Sequence, residues 1–411
     1  MAITLSLNRV TDPIYDYRLP AKYELFRDAL REFLKTEISD TVEYYDKAER
    51  FPEENIRKFA DYGYMGIPIP EKYGGADLGE FGNGIATQEI GKVCPAHGTI
   101  VGAHVGLCAV PIWLFGNEEQ KKRYLPDLTS GKKLGAFGLT EPGAGSDAAN
   151  IKTTATKSGD HFLINGTKQF ITNGDRADVL IVFAANDLSL GPYGGISAFI
   201  VERSFGGVST ARVEKKMGIR ASTTAQVVFQ DCPVPKENIL GTFGSGFLVA
   251  LTTLDGGRAT LSAGVVGACE SLLEGMIDRV HEHPKLESLQ SVRWMIADTA
   301  IDAHVSRLTC YHSLEEVALY FERLSRGEKI PRAEREAISR HTAIAKAFCS
   351  EAASRSMERA MQVFGAEGYT EGSGIELGYR NSVISEIYEG TNDIQRLVIA
   401  RDLLGSESGN Q

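Results

Sequence analysis

The C-terminal part of the chain carries a helical spacing of apolar residues over long segments. The spacing runs over about 247–281, 286–324, 333–364 and 392–404. Four helices of this length with short connections favour an antiparallel bundle, because each apolar stripe must be covered by a neighbouring helix. The sequence therefore predicts a C-terminal four-helix bundle domain over 246–411.

Two segments with different patterns of apolar residues precede this bundle. Over residues 23–128 apolar residues again recur every three or four positions, which predicts an N-terminal all-α domain over 1–130. Over 131–241 the apolar runs are rich in β-branched and aromatic residues and show no helical spacing between them. A middle antiparallel β-barrel or sandwich domain is expected over 131–245, so the fold class is multidomain α+β.

The strongest turn signal in the middle block is Asn165-Gly166. It stands between two runs of β-forming residues, at 161–164 and 167–172. An Asn-Gly pair favours the two-residue turns that join antiparallel strands. The sequence therefore predicts a hairpin that turns at Asn165-Gly166.

Charge and composition exclude several classes of partner. The 411 residues carry a net charge of −10 with scattered basic residues, whereas nucleic acid or an anionic membrane requires a concentrated basic face. Residues 1–20 lack the continuous apolar core of a signal peptide, so a cytoplasmic location is expected. The most apolar stretch, 246–267, is interrupted by Asp255 and Arg258, which argues against a membrane span.

The cysteines and histidines give no pattern of a metal site or disulfide framework. Six cysteines are dispersed without a Cys-x-x-Cys spacing, which is typical of reduced, packed thiols. His281 and His283 form the only close histidine pair, and two positions apart on a helix they point to different faces. No metal is therefore expected.

One carboxylate near the C-terminus has the setting of a catalytic base. Glu389 precedes Gly390 and an amphipathic helix whose apolar residues begin at Ile394. Asn392 is the predicted N-cap of that helix and Gln395 its capping-box partner, which places Glu389 just outside the first turn. Such a position leaves an open approach for a substrate. A Glu-Gly pair alone, however, is more often a solvated loop carboxylate.

Two glycine-bearing segments have the composition of ligand-contacting chain. Residues 140–147 (TEPGAGSD) offer N–H groups and hydroxyls to a phosphate or ring heteroatom, although a plain surface turn has the same composition. Their spacing is neither that of a Walker loop nor that of a Rossmann site. In residues 254–258 (LDGGR), Asp255 and Arg258 stand three apart, and a helix-surface ion pair would explain them equally well.

Five strings together resemble the ordered motifs of the acyl-CoA dehydrogenases. They are TEPGAGSD at 140–147, FITNG at 170–174, MGIRAS at 217–222, LDGGR at 254–258 and YEGTN at 388–392. The resemblance covers about residues 20–405. The wording of the β-domain and of LDGGR is most similar to the short-chain, butyryl-CoA branch.

The resemblance implies an FAD-dependent enzyme that oxidises an acyl-CoA thioester to the trans-2-enoyl-CoA. It implies that Glu389 removes the α-proton while a hydride passes to flavin N5. It also implies an electron-transfer flavoprotein as partner and assembly into a homotetramer or homodimer. A desolvated carboxylate suits this reaction, because burial raises its pKa toward the value needed to deprotonate a weak carbon acid.

The resemblance also implies the residues of the two ligand sites. FAD would contact Phe137, Leu139, Thr140, Gly145, Ser146, Phe170, Ile171, Thr172, Arg279, Gln290, Gln362, Gly365, Thr391 and Asp393. The acyl-CoA thioester would contact Ser146, Asp255, Arg258, Tyr388 and Gly390. Some branches carry the base just before the arginine of the LDGGR string. Here that position is Gly257, which strengthens the assignment to Glu389.

The chain departs from the family pattern in two strings expected at the flavin. The string usually written RxxFG reads RVHEH at 279–283, which changes the expected clasp on the FAD of a neighbouring subunit. The string usually written GGxG reads GAEG at 365–368. These changes keep open a non-catalytic homologue that acts as an assembly partner.

A second alternative keeps the fold but changes the reaction to oxidation of a cyclic acyl group or to oxidative decarboxylation. The decarboxylating branch requires an arginine for the substrate carboxylate. The position where it would stand aligns near Gly98, so this branch is disfavoured.

Overall fold

The computed structural model describes residues 19–405. The first eighteen residues, most of the stretch that argues against a signal peptide, lie outside this range, as do the ends of the predicted first and last domains. The helices are α1 Ala21–Phe33, α2 Val42–Lys47, α3 Glu53–Asp61, α4 Gly79–Val93, α5 Pro95–His104, α6 Val110–Phe115, α7 Glu118–Thr129, α8 Pro192–Gly195, α9 Gly246–Glu282, α10 Pro284–Glu287, α11 Gln290–Ser325, α12 Arg332–Phe364, α13 Ile375–Ser382 and α14 Asn392–Leu404.

The strands form one eight-stranded sheet between the two helical parts. They are β1 Gly135–Gly138, β2 Thr154–Ser158, β3 His161–Thr172, β4 Val179–Ala185, β5 Ile196–Glu202, β6 Val208–Val213, β7 Thr224–Pro235 and β8 Ile239–Leu240. The order is β6-β7-β3-β2-β4-β5-β8, with β1 paired to β4. The predicted succession of helical, β and helical parts is confirmed.

The sheet is mixed, whereas the sequence predicts a purely antiparallel one. β1 runs parallel to β4 over four residue pairs, and β2 meets β4 in a single parallel pair, Thr154 with Ala185. The remaining pairings are antiparallel. β1 can be parallel because the long connection that follows it, including residues 140–147, returns the chain before β2 begins.

The predicted hairpin at Asn165-Gly166 is wrong. Both residues lie inside the continuous strand β3, at an irregularity in its pairing with β7. Asn165 exchanges two hydrogen bonds with Asp231 across this bulge, at 2.8 and 3.0 Å. The hairpin turns instead at Gly159 and Asp160, between β2 and β3.

Alternation along β4 divides its side chains between two cores. Ile181 and Phe183 join the core shared with the helices, whereas Leu180 and Val182 join a separate core on the opposite face of the sheet. Such alternation follows from the two-residue period of a strand. The sheet is therefore covered on both faces, as in a sandwich.

Helix α9 joins the two helical domains by packing against helices of both. It packs against α4 of the N-terminal domain and against α11 and α12 of the bundle. Two helical runs, Pro95–Phe115 and Gly246–Glu282, are long and apolar enough to cross a membrane. Because 67% of the most apolar window of each is buried inside the protein, both have the character of core helices.

The predicted N-cap of α14 is also wrong. The cap is Thr391, whose side chain accepts a hydrogen bond from the Ile394 N–H. Asn392 is instead buried inside the bundle, where its Oδ1 accepts a hydrogen bond from Lys346 Nζ at 2.8 Å. A buried lysine needs such an acceptor, and this tertiary demand outweighs the local capping preference of asparagine.

The bulge in β3 generates a prediction about stability. Gly166 has φ of 152°, and a Cβ there would lie 2.4 Å from Thr153 Oγ1 and 2.7 Å from Thr153 Cα. We expect Gly166→Ala to lower the free energy of unfolding by about 1–3 kcal/mol, the cost of forced overpacking. Thermal unfolding of the variant measures the loss.

Gly143→Ala is the matched control, because no described atom lies within 4 Å of its added Cβ. Its unfolding free energy should stay within about 0.5 kcal/mol of the parent protein. An equal loss in both variants would contradict the steric explanation.

Candidate active site

Glu389 is held in a strained backbone conformation just before α14. Its φ is 56°, a left-handed conformation that costs a residue with a side chain on the order of 1–3 kcal/mol. Its carbonyl accepts hydrogen bonds from Arg258 Nε at 3.3 Å and Gln395 Nε2 at 3.1 Å. Gln395 Nε2 also donates to the Gly390 carbonyl at 2.8 Å. Two side chains from α9 and α14 thus fix this turn.

Arg258 is itself held by a buried ion pair, not the surface pair that sequence spacing allows. Its Nη1 lies 2.9 Å from Asp255 Oδ1, and both side chains are only 6% exposed. Asp255 also accepts a hydrogen bond from Ser339 Oγ at 2.6 Å. Because each charge is paired inside the protein, Arg258 has one defined position, from which it reaches the Glu389 carbonyl.

The Glu389 carboxylate is enclosed at one of its two oxygens. Although the residue as a whole is only half-buried, its Oε2 is enclosed and has no hydrogen-bond partner among the described residues. Burial raises the pKa of Glu389 to about 7, while Arg258 and Lys346 act in the opposite direction. The carboxylate therefore changes protonation state near neutral pH, as a general base requires.

Lys346 is the second cation near this carboxylate. It is fully buried in α12 and donates to Asn392 Oδ1 at 2.8 Å. Burial lowers the pKa of Lys346 to about 8, and the negative charge of Glu389 acts to raise it. Lys346 is therefore largely protonated at neutral pH and favours the ionised form of Glu389.

A glycine makes room for the Glu389 side chain. A Cβ at Gly257 would lie 2.7 Å from Glu389 Oε2 and 3.0 Å from its Cδ. Glu389 and position 257 are thus directly opposed. A side chain at position 257 would displace the Glu389 carboxylate.

Beneath the carboxylate lies an apolar cavity of about 140 Å³. Among the described residues that line it, Glu389 is the only charged one. Thr172 of β3 and Tyr388 stand with Glu389 in its wall. Most of the remaining wall comes from α4, α5, α9, α12 and α13 and includes Gly91, Gly98, Gly102, Gly264, Ala268, Leu272, Ala353, Met357 and Gly378.

The loop at 140–147 is fixed by its glutamate. Glu141 accepts hydrogen bonds from the Lys152 and Thr153 N–H groups at 2.6 and 3.0 Å, and from the buried Lys168 Nζ at 2.7 Å. The Thr140 carbonyl accepts from the Gln169 N–H at 2.8 Å, which ties the loop to the end of β3. Gly145 and Ser146 remain exposed.

The end of β3 presents an exposed aromatic ring beside this loop. Phe170 has φ of 58° and is 62% exposed, whereas Ile171 is buried and Thr172 reaches the cavity. Of the other predicted flavin residues in this domain, Phe137 packs against Phe183, and Leu139 is buried. An exposed flat ring next to open glycines and the cavity fits an isoalloxazine ring system.

Four predicted flavin residues lie at the other end of the bundle. Arg279 is near the end of α9, roughly 33 Å along the helix from Gly257 at 1.5 Å per residue. It forms an ion pair with Glu367 at 2.7 Å, which places it next to the Gly365 turn after α12. Within one chain this group, Arg279, Gln290, Gln362 and Gly365, does not meet Glu389. Thr391 and Asp393 stand at the start of α14, beside Glu389.

A group of possible metal ligands lies away from this site. His312, Glu316 and His341 bring ligand atoms within 4.8 Å of one another on α11 and α12. Sequence spacing does not reveal this group, because His341 is on a different helix. His341 Nδ1 hydrogen-bonds Glu316, and the side chains are partly exposed, so this hydrogen bond accounts for the contact.

Sequence reasoning missed several residues that shape the site. Gln395 was assigned to a cap, and Lys346 and Glu141 were not singled out. A lysine in the apolar run AIAKAFC of α12 is a signal that could have indicated a buried cation. The glycines of α4 and α5 gave no signal, because their common cavity exists only in the folded chain.

Three family models match consecutive parts of the chain. They are the N-terminal domain of acyl-CoA dehydrogenase over residues 20–132, the middle domain over 136–232 and the C-terminal domain over 244–404. A similar protein is the short-chain specific acyl-CoA dehydrogenase of Clostridium acetobutylicum, 40% identical over 389 residues. The match covers 94% of this chain and 98% of that protein.

Solved structures agree with this similarity. Butyryl-CoA dehydrogenase from Megasphaera elsdenii has a TM-score of 0.87 at 36% identity, covering 95% of this chain and 100% of that one. A chain in a structure of the electron transferring flavoprotein of Acidaminococcus fermentans has a TM-score of 0.87 at 39% identity, with the same coverage. The predicted fold, oxidoreductase class and FAD cofactor are confirmed, and the chain belongs to the acyl-CoA dehydrogenase family.

Proposed function

We propose that Glu389 is the base that removes the α-proton of an acyl-CoA thioester. The observation that carries this proposal is its enclosed, unpartnered Oε2 above an apolar cavity, with a pKa of about 7. FAD bound in the site supplies the acceptor for the β-hydride. The proton goes to Glu389, the electron pair of the α C–H bond forms the new double bond, and the product is a 2-enoyl thioester.

The backbone around Glu389 supports the same step. The family resemblance gives its N–H group the role of hydrogen-bonding the thioester oxygen, on which negative charge develops as the proton leaves. The left-handed turn fixes the direction of that N–H, and Arg258 and Gln395 hold the carbonyl behind it. Both the base and the donor are thus oriented before substrate binds.

We propose that FAD is held mainly by the end of β3 and the loop at 140–147. Phe170 and Thr172 would face the ring system, and the open backbone at Gly145 and the Ser146 hydroxyl would meet polar atoms of the cofactor. Thr391 and Asp393 would approach from the start of α14. The group around Arg279 is too far along α9 to join them, which favours contact with the FAD of another subunit.

The predicted thioester residues divide into two roles. Tyr388 lines the cavity, Gly390 directly follows Glu389, and Ser146 is exposed on its loop, so we propose that these three contact the substrate. Asp255 and Arg258 are buried and bonded to each other and to the Glu389 turn. We propose that this pair acts chiefly by positioning the base.

Partners and location are inferred from similarity, from an exposed apolar surface and from the cysteines. Similarity to a chain in an electron transferring flavoprotein structure supports such a flavoprotein as the electron acceptor. An exposed apolar stripe on α11, including Trp294, Ile301, Leu308 and Leu319, supports assembly into a homotetramer or homodimer. The six cysteines are free and buried, which suits a reducing compartment such as the cytoplasm.

Oxidative decarboxylation is disfavoured by the charge of the cavity. A substrate carboxylate would need a cation, and the described lining residues include none. Gly98, where such an arginine would be sought, is part of the wall. Product mass after a single turnover separates this reaction, and oxidation of a cyclic acyl group, from simple dehydrogenation.

The first prediction about the reaction concerns Glu389 itself. We expect Glu389→Gln to slow anaerobic bleaching of the flavin by acyl-CoA at least 10³-fold, because the amide cannot accept the proton. FAD should remain bound, as its absorption spectrum would show. Glu386→Gln, three residues earlier, is the control and should bleach normally.

If no acyl thioester bleaches the flavin of the parent protein, the proposed function is contradicted. A protein that purifies colourless and cannot be reconstituted with FAD would favour the non-catalytic homologue.

The second prediction tests the space opposite the base. Gly257→Ala places a Cβ where Glu389 Oε2 now lies, so the carboxylate must move by about 1 Å. A displacement of this size is expected to lower the bleaching rate on the order of 100-fold. Gly275→Ala, in the same helix with no described atom within 4 Å of its Cβ, should leave the rate unchanged.

The third prediction concerns the buried cation. Proton abstraction needs ionised Glu389, so the bleaching rate should rise with pH through about 7. Lys346→Met removes a positive charge that favours ionisation, and we expect this midpoint to move up by about one pH unit. The difference in bleaching rate between the parent protein and Lys346→Met should narrow above pH 8, where Lys346 itself loses its proton.

Lys346→Arg keeps the charge and serves as the control. Its midpoint should stay near that of the parent protein. An unchanged midpoint in Lys346→Met would show that the two groups do not interact.

A further inference from the structure

The cavity beneath Glu389 extends along one face of α9. Its α9 lining residues are Gly257, Leu261, Gly264, Ala268 and Leu272, at intervals of three or four positions. These residues span four helical turns, or roughly 22 Å of helix. The cavity is therefore elongated and begins at the base.

Small residues also line the facing helices, and at Gly91 the backbone of α4 touches that of α9, because a Cβ there would lie 2.2 Å from the Gly264 carbonyl oxygen. Gly91 of α4 and Gly98 and Gly102 of α5 form the opposite wall. At the far end the wall includes Met357 of α12 and Gly378 of α13. The wall combines these glycines with larger apolar side chains, among them Leu107, Leu261, Leu272 and Met357.

The volume exceeds the need of a short acyl group. An apolar cavity of about 150 Å³ encloses a six-carbon ring, and this cavity measures about 140 Å³. A butyryl group places only two carbons beyond the α-carbon. The wall also offers no cation among the described residues, so an acidic acyl tail would be left without a charged partner.

We infer that this chain takes an unbranched apolar acyl group of about six to eight carbons, with Gly102 as a specificity-determining residue. This inference rests on the proposed function and names its substrate class. Similarity to proteins named for short-chain or butyryl substrates extends over the whole chain, whereas acyl length is decided by a few wall residues. An extended chain suits a cavity that follows a helix.

Gly102 is the position where acyl length can be changed with least disturbance. It lies in the cavity wall, and no described atom comes within 4 Å of a Cβ built on it. Its place inside α5 also favours leucine or alanine over glycine, because both have the higher helix propensity. A larger side chain there enters the cavity and leaves the helix intact.

The experiment compares butyryl-CoA, hexanoyl-CoA and octanoyl-CoA on the FAD-loaded full-length protein. Each buried CH₂ is worth about fourfold in binding, so the parent protein should show kcat/KM for octanoyl-CoA on the order of 100-fold above that for butyryl-CoA. Gly102→Leu should lower the ratio of the octanoyl-CoA value to the butyryl-CoA value at least 30-fold.

Two further variants make the result specific. Gly102→Ala should give an intermediate loss for octanoyl-CoA. Gly106→Ala, one turn further along the same helical run and outside the cavity wall, should change neither substrate, since no described atom lies within 4 Å of its added Cβ. Thermal unfolding confirms that each variant is folded.

Binding to the Glu389→Gln protein separates this inference from the proposed function. Titration with trans-2-octenoyl-CoA and crotonyl-CoA, followed by the flavin spectrum, measures fit without turnover. Tighter binding of the eight-carbon ligand that Gly102→Leu abolishes supports the inference even if turnover fails. A preference of the parent protein for butyryl-CoA, or a folded Gly102→Leu variant with an unchanged length profile, overturns it.

Discussion

The Glu389 turn depends on two side chains that hold a single carbonyl. Arg258 Nε and Gln395 Nε2 both donate to the Glu389 oxygen, and Arg258 is in turn fixed by Asp255 inside α9. Without these bonds a glutamate at φ of 56° would relax toward the right-handed region, and its side chain would leave the cavity. The buried ion pair thus links the long helix of the bundle to the base.

The same arrangement balances the charge of the base. Burial alone would keep Glu389 protonated at neutral pH, whereas full solvation would leave it too weak a base for a carbon acid. Arg258 and Lys346 partly offset the burial, and the pKa remains near 7. Neither cation bonds to the carboxylate oxygens, which leaves Oε2 free to accept a proton. Arg258 of α9 therefore contributes both to the position and to the proton affinity of Glu389, with Gln395 of α14 acting on the first and Lys346 of α12 on the second.

The bundle could be predicted from sequence because its signal is long and local. Helices α9, α11, α12 and α14 lie close to their predicted ranges, since each apolar stripe repeats over many turns. Short signals failed where distant contacts outweighed them. Asn165-Gly166 bulges to meet Asp231, and Asn392 turns inward to Lys346, 46 residues away. The proposed role of Glu389 comes from an ordered set of motifs, because its own Glu-Gly pair is uninformative.

The cavity shows why acyl length is harder to predict than chemistry. The base needs a few residues in fixed order, which a single sequence displays. The cavity depends on glycines at positions of α4, α5 and α9 that line it in the folded chain. The sequence does not show which residue lies opposite a glycine in a helix. Gly257 belongs to both: it admits the Glu389 carboxylate and forms the upper wall of the space below. Gly257 therefore bears both on the proposed reaction and on the size of the acyl group. Only its bearing on the reaction can be inferred from the neighbouring sequence.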